Sequence, residues 1–337
     1  MSDANKGDFA KLSWSRAART DKGVSAVGQV VACKLVLDPP GLVARVNDAL
    51  PPSVRVFAVV RCVNGFNAKN LCERRRYSYL LPASALDPRW PSSPPAARGH
   101  EGDAALPSVV DAGDATDPAA PESTAAAPAT PFNAAAAAAR LNGELARYVG
   151  THKFHNFTPK LKASDPSSRR FIASFASSPL ALHGAPWLHL QVVGQSFLLH
   201  QIRCMVGAAV AVVRGYLPAG FIADALSPSS SSHAPMAPAL GLYLSEALFG
   251  AYNAKWGGTH PAVGIEQCCE AEARAFETTS VWEHIAATEA REGVAAAWCA
   301  SLSGRGGGAG EAGEAGDLAG EPEEAGAAGH GGSSDGD

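Results

Sequence analysis

Two acidic, low-complexity segments limit which parts of this 337-residue chain can form a packed core. Residues 86–131 carry seven acidic side chains against two arginines, and residues 301–337 carry eight against one. Both segments are rich in Ala, Gly and Pro, so side-chain burial cannot offset the entropy lost on ordering their backbone. We therefore expect a disordered acidic insertion at 86–131 and a disordered tail at 301–337.

The remainder of the chain is basic, although the formal net charge of the whole is -4. Without the two acidic segments the net charge becomes +8. A basic domain is typical of proteins that bind nucleic acid. No apolar run reaches the roughly 18 residues that span a membrane. The seven cysteines are scattered without a C-x-x-C pattern, which is typical of reduced thiols in an intracellular protein.

Hydrophobic periodicity predicts a mixture of strands and helices. Strands are predicted at 29–37, 54–63, 77–81, 170–176, 188–193 and 242–249. Helices are predicted at 41–50, 134–148, 197–214 and 221–226, followed by a helical stretch from about 264 to 298. Asn133 is a good N-cap for the second helix, and Gly215 ends the third. Strands grouped with helices on one side indicate an α+β fold.

A charged, turn-forming stretch at 15–26 precedes the first strand and reads Ser-Arg-Ala-Ala-Arg-Thr-Asp-Lys-Gly-Val-Ser-Ala. Asp21 followed by Lys22 and Gly23 favours a tight turn, because Gly tolerates a positive φ and Asp can bond its own backbone. A polar loop held by a strand often carries function. The residues alone favour the simpler interpretation, in which Asp21 caps the turn and Arg19 is solvated.

Residues 74–79 combine a basic run with two tyrosines and read Arg-Arg-Arg-Tyr-Ser-Tyr. Cations beside aromatic rings can bind phosphates and stack a base. The same pattern also fits a solvated basic turn that leads into a strand whose tyrosines are core residues. The residues themselves support both interpretations equally.

Histidines, aromatic side chains and amides are concentrated at 150–158. His152 and His155 would suit a metal if the segment were helical, but no Glu or Cys nearby completes a zinc set. We favour a structural or RNA-contacting loop over a zinc site. Four cations follow this segment and extend the basic surface: Lys160, Lys162, Arg169 and Arg170.

Arg203 lies in the strongest predicted helix, 197–214, about 100° around the axis from the core position Ile202. An Arg at the border of an apolar face is costly to bury unless it is paired. It therefore either pairs with an acidic group or extends to solvent.

Five stretches taken in order resemble the motifs of the tRNA pseudouridine synthase A family. The stretches are 19–26, 65–79, 150–158, 194–207 and 237–244. The sequences of residues 18–26 and 150–158 resemble those of the eukaryotic branch of the family. The resemblance spans Arg16 to about Phe249. It implies the pseudouridine synthase fold, in which two similar α+β halves share a mostly antiparallel sheet with a central cleft.

The resemblance also divides the chain. Residues 1–85 would form the N-terminal catalytic half, 132–255 the C-terminal half and 256–300 a helical extension. Family members carry a strand and a loop ahead of the first motif, and Met1–Ser15 does not read as that strand. We therefore expect the chain to be truncated at its start, which would expose a sheet edge.

Individual residues acquire roles through the same resemblance. Asp21 would be the catalytic nucleophile or base, and Arg203 would pair with it and hold it ionised. Arg19 would help to displace the base or contact the RNA backbone. The substrate-binding residues would be Tyr77 against the base, Leu242 in the wall of its pocket, and Lys69 and Arg74 on the RNA backbone.

The implied activity is isomerisation of specific uridines to pseudouridine in tRNA, with mRNA and other structured RNA as further candidate partners. The reaction calls for no cofactor and no metal. We expect a nuclear monomer without membrane association, with mitochondrial and plastid locations as alternatives. Two other function classes stay open: a non-catalytic RNA-binding protein with a degenerate synthase fold, and a zinc hydrolase that uses His152 and His155.

Overall fold

The computed structural model describes residues 12–35, 41–91 and 132–303. Most of the predicted acidic insertion and tail, and the first 11 residues, lie outside these ranges. In the part of the chain that the structure describes, no helix is both long enough and apolar enough to span a membrane. The division of the folded region into halves at residues 85 and 132 stays a prediction.

The described residues form eight strands and ten helices. The strands are β1 Ser15–Arg16, β2 Ser25–Ala26, β3 Val31–Ala32, β4 Arg74–Pro82, β5 Gly150–Lys153, β6 Arg169–Leu182, β7 Ala185–Gly194 and β8 Leu242–Leu248. The helices are α1 Leu42–Ala49, α2 Ala68–Leu71, α3 Ala134–Ala146, α4 Gln201–Val213, α5 Phe221–Leu226, α6 Gly250–Trp256, α7 Ile265–Cys268, α8 Glu270–Phe276, α9 Glu283–Glu292 and α10 Val294–Ser303. Single helical turns cover Ala83–Leu86, His155–Phe157 and Pro166–Ser168, and a π-helix, Glu277–Trp282, joins α8 to α9.

Six of the strands form one sheet in the order β2-β8-β4-β7-β6-β5. Only the β2–β8 pair is parallel; the other neighbours run antiparallel. β1 and β3 form a separate antiparallel pair. The predicted α+β class and the mostly antiparallel sheet are therefore confirmed.

Both faces of the sheet are covered. Side chains alternate along a strand, so Tyr77, Tyr79 and Leu81 of β4 face α3 and α4, where they join the main core cluster. Leu80 and Tyr243 belong to a second cluster that includes residues of the π-helix and α9. The central strands thus lie between two layers of helices, which makes β4 a rigid platform.

α4 is buried along its length except at Arg203. It begins at Gln201 rather than at residue 197 as predicted, because His200 adopts a left-handed conformation with φ 60° and ψ 3°. Gly207 lets the helix approach its neighbour closely, since a Cβ there would collide with the Pro235 carbonyl. Gly215, with φ 79°, ends the helix as predicted.

The predicted strand at 54–63 is wrong. No strand is assigned to this segment, which belongs to the described residues. Side chains, and not a neighbouring strand, form hydrogen bonds with backbone groups of this segment. The Asn47 side-chain amide donates to the Val56 carbonyl and accepts from the Val56 N–H, both at 2.8 Å. The Val63 N–H donates to the Tyr252 hydroxyl at 3.3 Å. Its apolar residues pack on the core without joining the sheet.

The other predicted elements agree in type and differ in length. The strand predicted at 29–37 shortens to β3, and residues 36–37 fall outside the described ranges. Strands predicted at 77–81, 170–176 and 188–193 extend into the longer β4, β6 and β7. Asn133 caps α3 as predicted, its side chain accepting from the Ala136 N–H at 3.0 Å.

A buried polar network lies on the α9 side of the sheet. The Tyr243 hydroxyl donates to Glu277 at 2.9 Å and accepts from the Trp282 indole at 2.9 Å. His189 Nε2 lies 2.9 Å from the Ser78 hydroxyl. Burial lowers the pKa of His189, with a smaller opposing effect from the Glu277 charge. The network therefore holds His189 as a neutral imidazole within the fold.

This network predicts a pH dependence of stability. The pKa of folded His189 lies below the value of 6.5 expected for the unfolded chain, so unfolding takes up a proton as the pH falls through this range. The free energy of unfolding should drop below about pH 6.5, by at most about 1.4 kcal/mol per pH unit from this group. Urea unfolding at several pH values measures it. His189→Gln should flatten the slope, whereas His183→Gln, at an exposed position, should leave it unchanged.

Candidate active site

The loop that carries Asp21 is closed at both ends by backbone and side-chain bonds. Beyond the β1–β3 pair, the Ala17 N–H donates to the Val30 carbonyl at 2.8 Å. The Gln29 amide donates to the Ala18 carbonyl at 2.8 Å and accepts from the Ala18 N–H at 3.1 Å. Hydrogen bonds therefore hold the two ends of the loop together.

The far side of the loop is joined to the main sheet. β2 pairs with β8, and the N–H groups of Val27 and Gly28 both donate to the Leu244 carbonyl, at 2.8 and 3.3 Å. A Cβ on Gly28 would collide with the Ser245 carbonyl and lie 2.7 Å from Ile265 Cδ1. Only glycine lets the backbone lie this close to β8.

Asp21 opens a tight turn, as the sequence predicted. The Val24 N–H donates to the Asp21 carbonyl at 3.0 Å, and Gly23 has φ 77°. The Asp21 side chain is 24% exposed. Among the described residues its carboxylate accepts no hydrogen bond. The turn thus presents a carboxylate that is held by its backbone but left free at its oxygens.

One side chain lies close to this carboxylate, and the charge of the carboxylate acts on two others. His200 Nε2 lies 3.7 Å from Asp21 Oδ2. Burial raises the pKa of Tyr77 to about 12; the Asp21 charge adds to the increase and the Arg75 charge opposes it. Burial likewise raises the pKa of Cys204 to about 12; the Arg203 charge opposes this increase and the Asp21 charge adds to it. The Asp21 charge is therefore close enough to act on both Tyr77 and Cys204.

Tyr77 and Leu242, predicted to hold the base, belong to the same core cluster. They are 7% and 5% exposed. The Tyr77 ring packs edge-on against Phe197, with centroids 5.3 Å apart and an interplanar angle of 82°. Leu242 pairs with Tyr79 in the β4–β8 ladder, two positions from Tyr77. The structure brings both predicted pocket residues onto adjacent strands.

The predicted ion pair between Arg203 and Asp21 is wrong for this structure. Across the described residues no ion pair joins them; Arg203 Nε donates to the Ala237 carbonyl at 2.8 Å, and the Ala237 N–H donates back to the Arg203 carbonyl at 3.0 Å. This bond directs the guanidinium along residues 235–238. Its charge acts on Tyr79 and Cys204, lowering the pKa of each against a larger increase from burial.

Arg75 is the residue that sequence reasoning missed. Its guanidinium donates to the Ala17 carbonyl from Nε and Nη2 at 3.2 and 2.8 Å. Nη1 donates to the Gln195 carbonyl at 2.7 Å and to the Cys72 carbonyl at 3.4 Å. Strand alternation could have found it, since Arg75 and Tyr77 must share a face of β4. Arg75 joins the Asp21 loop to the segment that leads into α4.

The remaining predicted cations lie at the surface. Arg19, Lys69 and Arg74 are exposed, and their side chains make no hydrogen bond or ion pair within the described residues. Lys69 lies on α2, whose N-cap Asn67 accepts from the Lys69 N–H at 3.0 Å. These side chains are free to contact a ligand.

The two histidines considered for zinc bind backbone carbonyls. His152 Nε2 lies 3.0 Å from the Val149 carbonyl, and His155 Nε2 lies 2.9 Å from the Ser230 carbonyl. Over the described ranges no cluster of three His, Cys, Asp or Glu side chains could hold a metal ion. Asn156 supports the same loop by donating to the Ala225 and Ser230 carbonyls. The segment 150–158 has a structural role.

A groove of about 950 Å³ opens beside Arg75 and Gln195. Glu73 is the single acid among its lining residues, and its carboxylate accepts from the N–H groups of Gly250 and Ala251 at the start of α6. Three aromatic side chains line it: Phe171, Tyr252 and Trp256. Four cations line it: Arg75, Arg169, Arg170 and Lys255. The groove is therefore a polar, cationic surface suited to an anionic chain.

Arg75→Met should loosen the Asp21 loop, because it removes every hydrogen bond of the guanidinium while keeping most of the apolar stem. We expect a loss of about 2 kcal/mol in the free energy of unfolding, and faster tryptic cleavage after Arg19 and Lys22. Arg74→Met is the matched control, since Arg74 is exposed, and should change stability by less than about 0.5 kcal/mol. Equal cleavage rates in the two variants would show that Arg75 does not hold the loop.

Comparison with known proteins adds independent information. Residues 145–250 match a family model described as tRNA pseudouridine synthase. The human protein named Pseudouridylate synthase 1 homolog is 35% identical over 298 residues, which cover 88% of this chain and 61% of the human protein. The protein named tRNA pseudouridine synthase 1 in Saccharomyces cerevisiae is 30% identical over 299 residues, covering 75% of this chain and 55% of the yeast protein.

A second yeast protein of that name, from Schizosaccharomyces pombe, is 28% identical over 397 residues, covering 87% of this chain and 74% of the relative. The chain spans about three fifths of the length of the human relative. The family model covers the segment that holds β5 to β8, and the eukaryotic relatives align across most of the chain. Over most of its length this chain is therefore similar to eukaryotic proteins named as tRNA pseudouridine synthases.

Proposed function

We propose that this chain is an isomerase that converts specific uridines of tRNA to pseudouridine, with Asp21 as its catalytic residue. The observation that carries the proposal is the Asp21 carboxylate, which is held by a turn and is close enough for its charge to act on the buried Tyr77. Within the described residues its oxygens accept no hydrogen bond, so they are available to a substrate. The similarity to tRNA pseudouridine synthases suggests the reaction type.

The chemistry determines what the site must do. In the isomerisation the bond from uracil N1 to ribose C1′ breaks and a bond from C5 to C1′ forms. The proton on C5 leaves and N1 gains one, so the reaction is neither a redox step nor a hydrolysis. A stacked base cannot present these atoms, so the uridine must be extruded into the site. Asp21 would act as a nucleophile at C1′ or as a base at the ribose.

Tyr77 and Leu242 would hold the extruded base. Tyr77 is buried against Phe197; its phenol is neutral at physiological pH, and burial raises its pKa further, to about 12. A neutral ring offers an apolar surface on which a pyrimidine can turn without an ionic tether. Leu242, on the neighbouring strand, would close the pocket from the side.

The cationic groove would bind the RNA backbone next to the extruded base. It adjoins the site, because Arg75 lines the groove and binds the Ala17 carbonyl at the start of the Asp21 loop. Glu73 is engaged with N–H groups at the start of α6, so it offers little repulsion to phosphates. Lys255 Nζ lies 5.2 Å from the Trp256 ring centroid, a cation–π pair on which a neighbouring base can stack.

Beyond the reaction itself, we propose that the enzyme acts in the nucleus as a monomer, with mRNA and other structured RNA as further substrates. The alternative is a non-catalytic RNA-binding protein, which would use the same groove but would not need Asp21. Wild-type protein that binds tRNA without forming pseudouridine would favour this alternative.

Asp21→Asn should abolish pseudouridine formation and leave RNA binding intact, since it removes the charge and keeps the shape. We expect turnover to fall by about 1,000-fold or more. Tritium release from tRNA transcripts that carry 5-tritiated uridine measures the reaction, and filter binding measures affinity. Asp48→Asn, at an exposed position on α1, is the control. Normal turnover by Asp21→Asn would remove Asp21 from the mechanism.

Neutralising two groove cations should weaken RNA binding without altering the chemistry. Arg169→Gln combined with Lys255→Gln should lower tRNA affinity at moderate salt and reduce the slope of log affinity against log salt by about 1 to 2. The control combines Arg140→Gln with Arg291→Gln, two exposed cations that do not line the groove. Equal salt slopes in the two double variants would place the RNA elsewhere.

A further inference from the structure

We propose that His200 is a positioning residue for the Asp21 carboxylate, in the place where Arg203 was predicted to act. The inference rests on the proposed function and assigns one more residue to the same site. His200 Nε2 lies 3.7 Å from Asp21 Oδ2. In the described ranges no other Lys, Arg or His nitrogen lies within 4.0 Å of that carboxylate.

The backbone at His200 is held in an unfavourable conformation. Its φ of 60° and ψ of 3° lie in the left-handed region, which costs an L-residue with a Cβ about 1 kcal/mol or more. Glycine would adopt this conformation without strain and asparagine with less. The backbone alone therefore does not explain an imidazole here, and the side chain must supply the reason.

Hydrogen bonds on both sides of His200 fix its backbone. The Leu199 carbonyl accepts from the Thr158 hydroxyl at 2.9 Å, which ties the segment to the 150–158 loop. The Gln201 side chain accepts from the Leu198 N–H at 2.8 Å, and the Cys204 N–H donates to the His200 carbonyl at 3.0 Å. From this fixed backbone at the start of α4, the ring lies with Nε2 3.7 Å from the Asp21 carboxylate.

The electrostatic setting favours such a role. The Asp21 carboxylate is 24% exposed and the His200 side chain 30%, so neither is fully screened by water. Tyr77 of β4 and Cys204 of α4 feel the Asp21 charge, but both stay neutral because burial raises the pKa of each to about 12. Arg203 is bonded to the Ala237 carbonyl. His200 is then the group that can orient Asp21.

The distance of 3.7 Å is longer than a hydrogen bond and fits a site without its substrate. Extrusion of a uridine into the site would exclude water and let the imidazole donate directly to the carboxylate. Oriented in this way, one carboxylate oxygen would face the ribose while the other is held by Nε2.

His200→Gly tests the role, because glycine removes the ring and suits the left-handed backbone. We expect kcat to fall by about 10- to 100-fold with KM changed by less than about twofold, and added imidazole to restore part of kcat. The thermal midpoint should stay unchanged or rise, since backbone strain is relieved. His200→Asn, which also tolerates this backbone, should behave in the same way without responding to imidazole.

His183→Gly is a closely matched control. His183 also has a left-handed backbone, with φ 51°, and its Nε2 lies 3.0 Å from Glu283 Oε1. The control therefore loses an imidazole, a strained conformation and a carboxylate contact, all at the β6–β7 turn. It should leave kcat and KM at the wild-type values.

Wild-type kcat in His200→Gly, or a loss of kcat that imidazole does not restore, would overturn the inference while leaving the proposed function intact. A rise in KM alone would assign His200 to RNA binding and would also overturn it. If wild-type protein forms no pseudouridine, the proposed function fails and this inference fails with it.

Discussion

The guanidinium of Arg75 is the contact on which the candidate site depends. Three carbonyl groups from separate segments, Ala17, Cys72 and Gln195, accept its hydrogen bonds. Arg75 belongs to β4, which pairs with β7 and β8 in the middle of the sheet. The hydrogen bonds of Arg75 therefore anchor the Asp21 loop to a central strand of the fold. A carboxylate can hold its geometry on a surface loop only when the loop is anchored in this way.

The second anchor is the packing of α4. Close approach at Gly207 and the paired bonds between Arg203 and Ala237 fix this helix against the 235–238 segment. Both Leu242 and the start of α4 thereby take positions relative to β4 that depend on the core and not on the loops. The site is assembled from segments that are distant in the chain. The Asp21 loop bonds to β4 through Arg75 and to β8 through β2, and these two strands pair with each other.

The elements that sequence could predict are those whose signal is local. The apolar spacing of α4, the cap at Asn133 and the turn at Gly23 each depend on a few neighbouring residues, and each is found as expected. The segment 54–63 has the composition of a strand, but its partner is the Asn47 side chain, a long-range choice that composition does not encode.

The motifs predicted candidate site residues but not the contacts among them. The Asp21 charge acts on Tyr77, and Tyr77 shares a core cluster with Leu242, whereas the expected partner Arg203 bonds Ala237. At His200 a single left-handed residue delays the start of α4, and it is the His200 ring that lies 3.7 Å from the Asp21 carboxylate. The spacing of apolar residues does not predict a left-handed conformation at a single residue.

The short pairing of β2 has a consequence for how the molecule meets copies of itself. β2 covers β8 at Tyr243 and Leu244. Farther along the same strand Glu246 is buried and paired with Arg76 at 2.7 Å. A strand from another molecule that paired with β8 beyond β2 would have to take this ionic pair further out of water, which costs free energy. A charged pair beside the margin of a sheet is a feature that works against edge-to-edge pairing of strands.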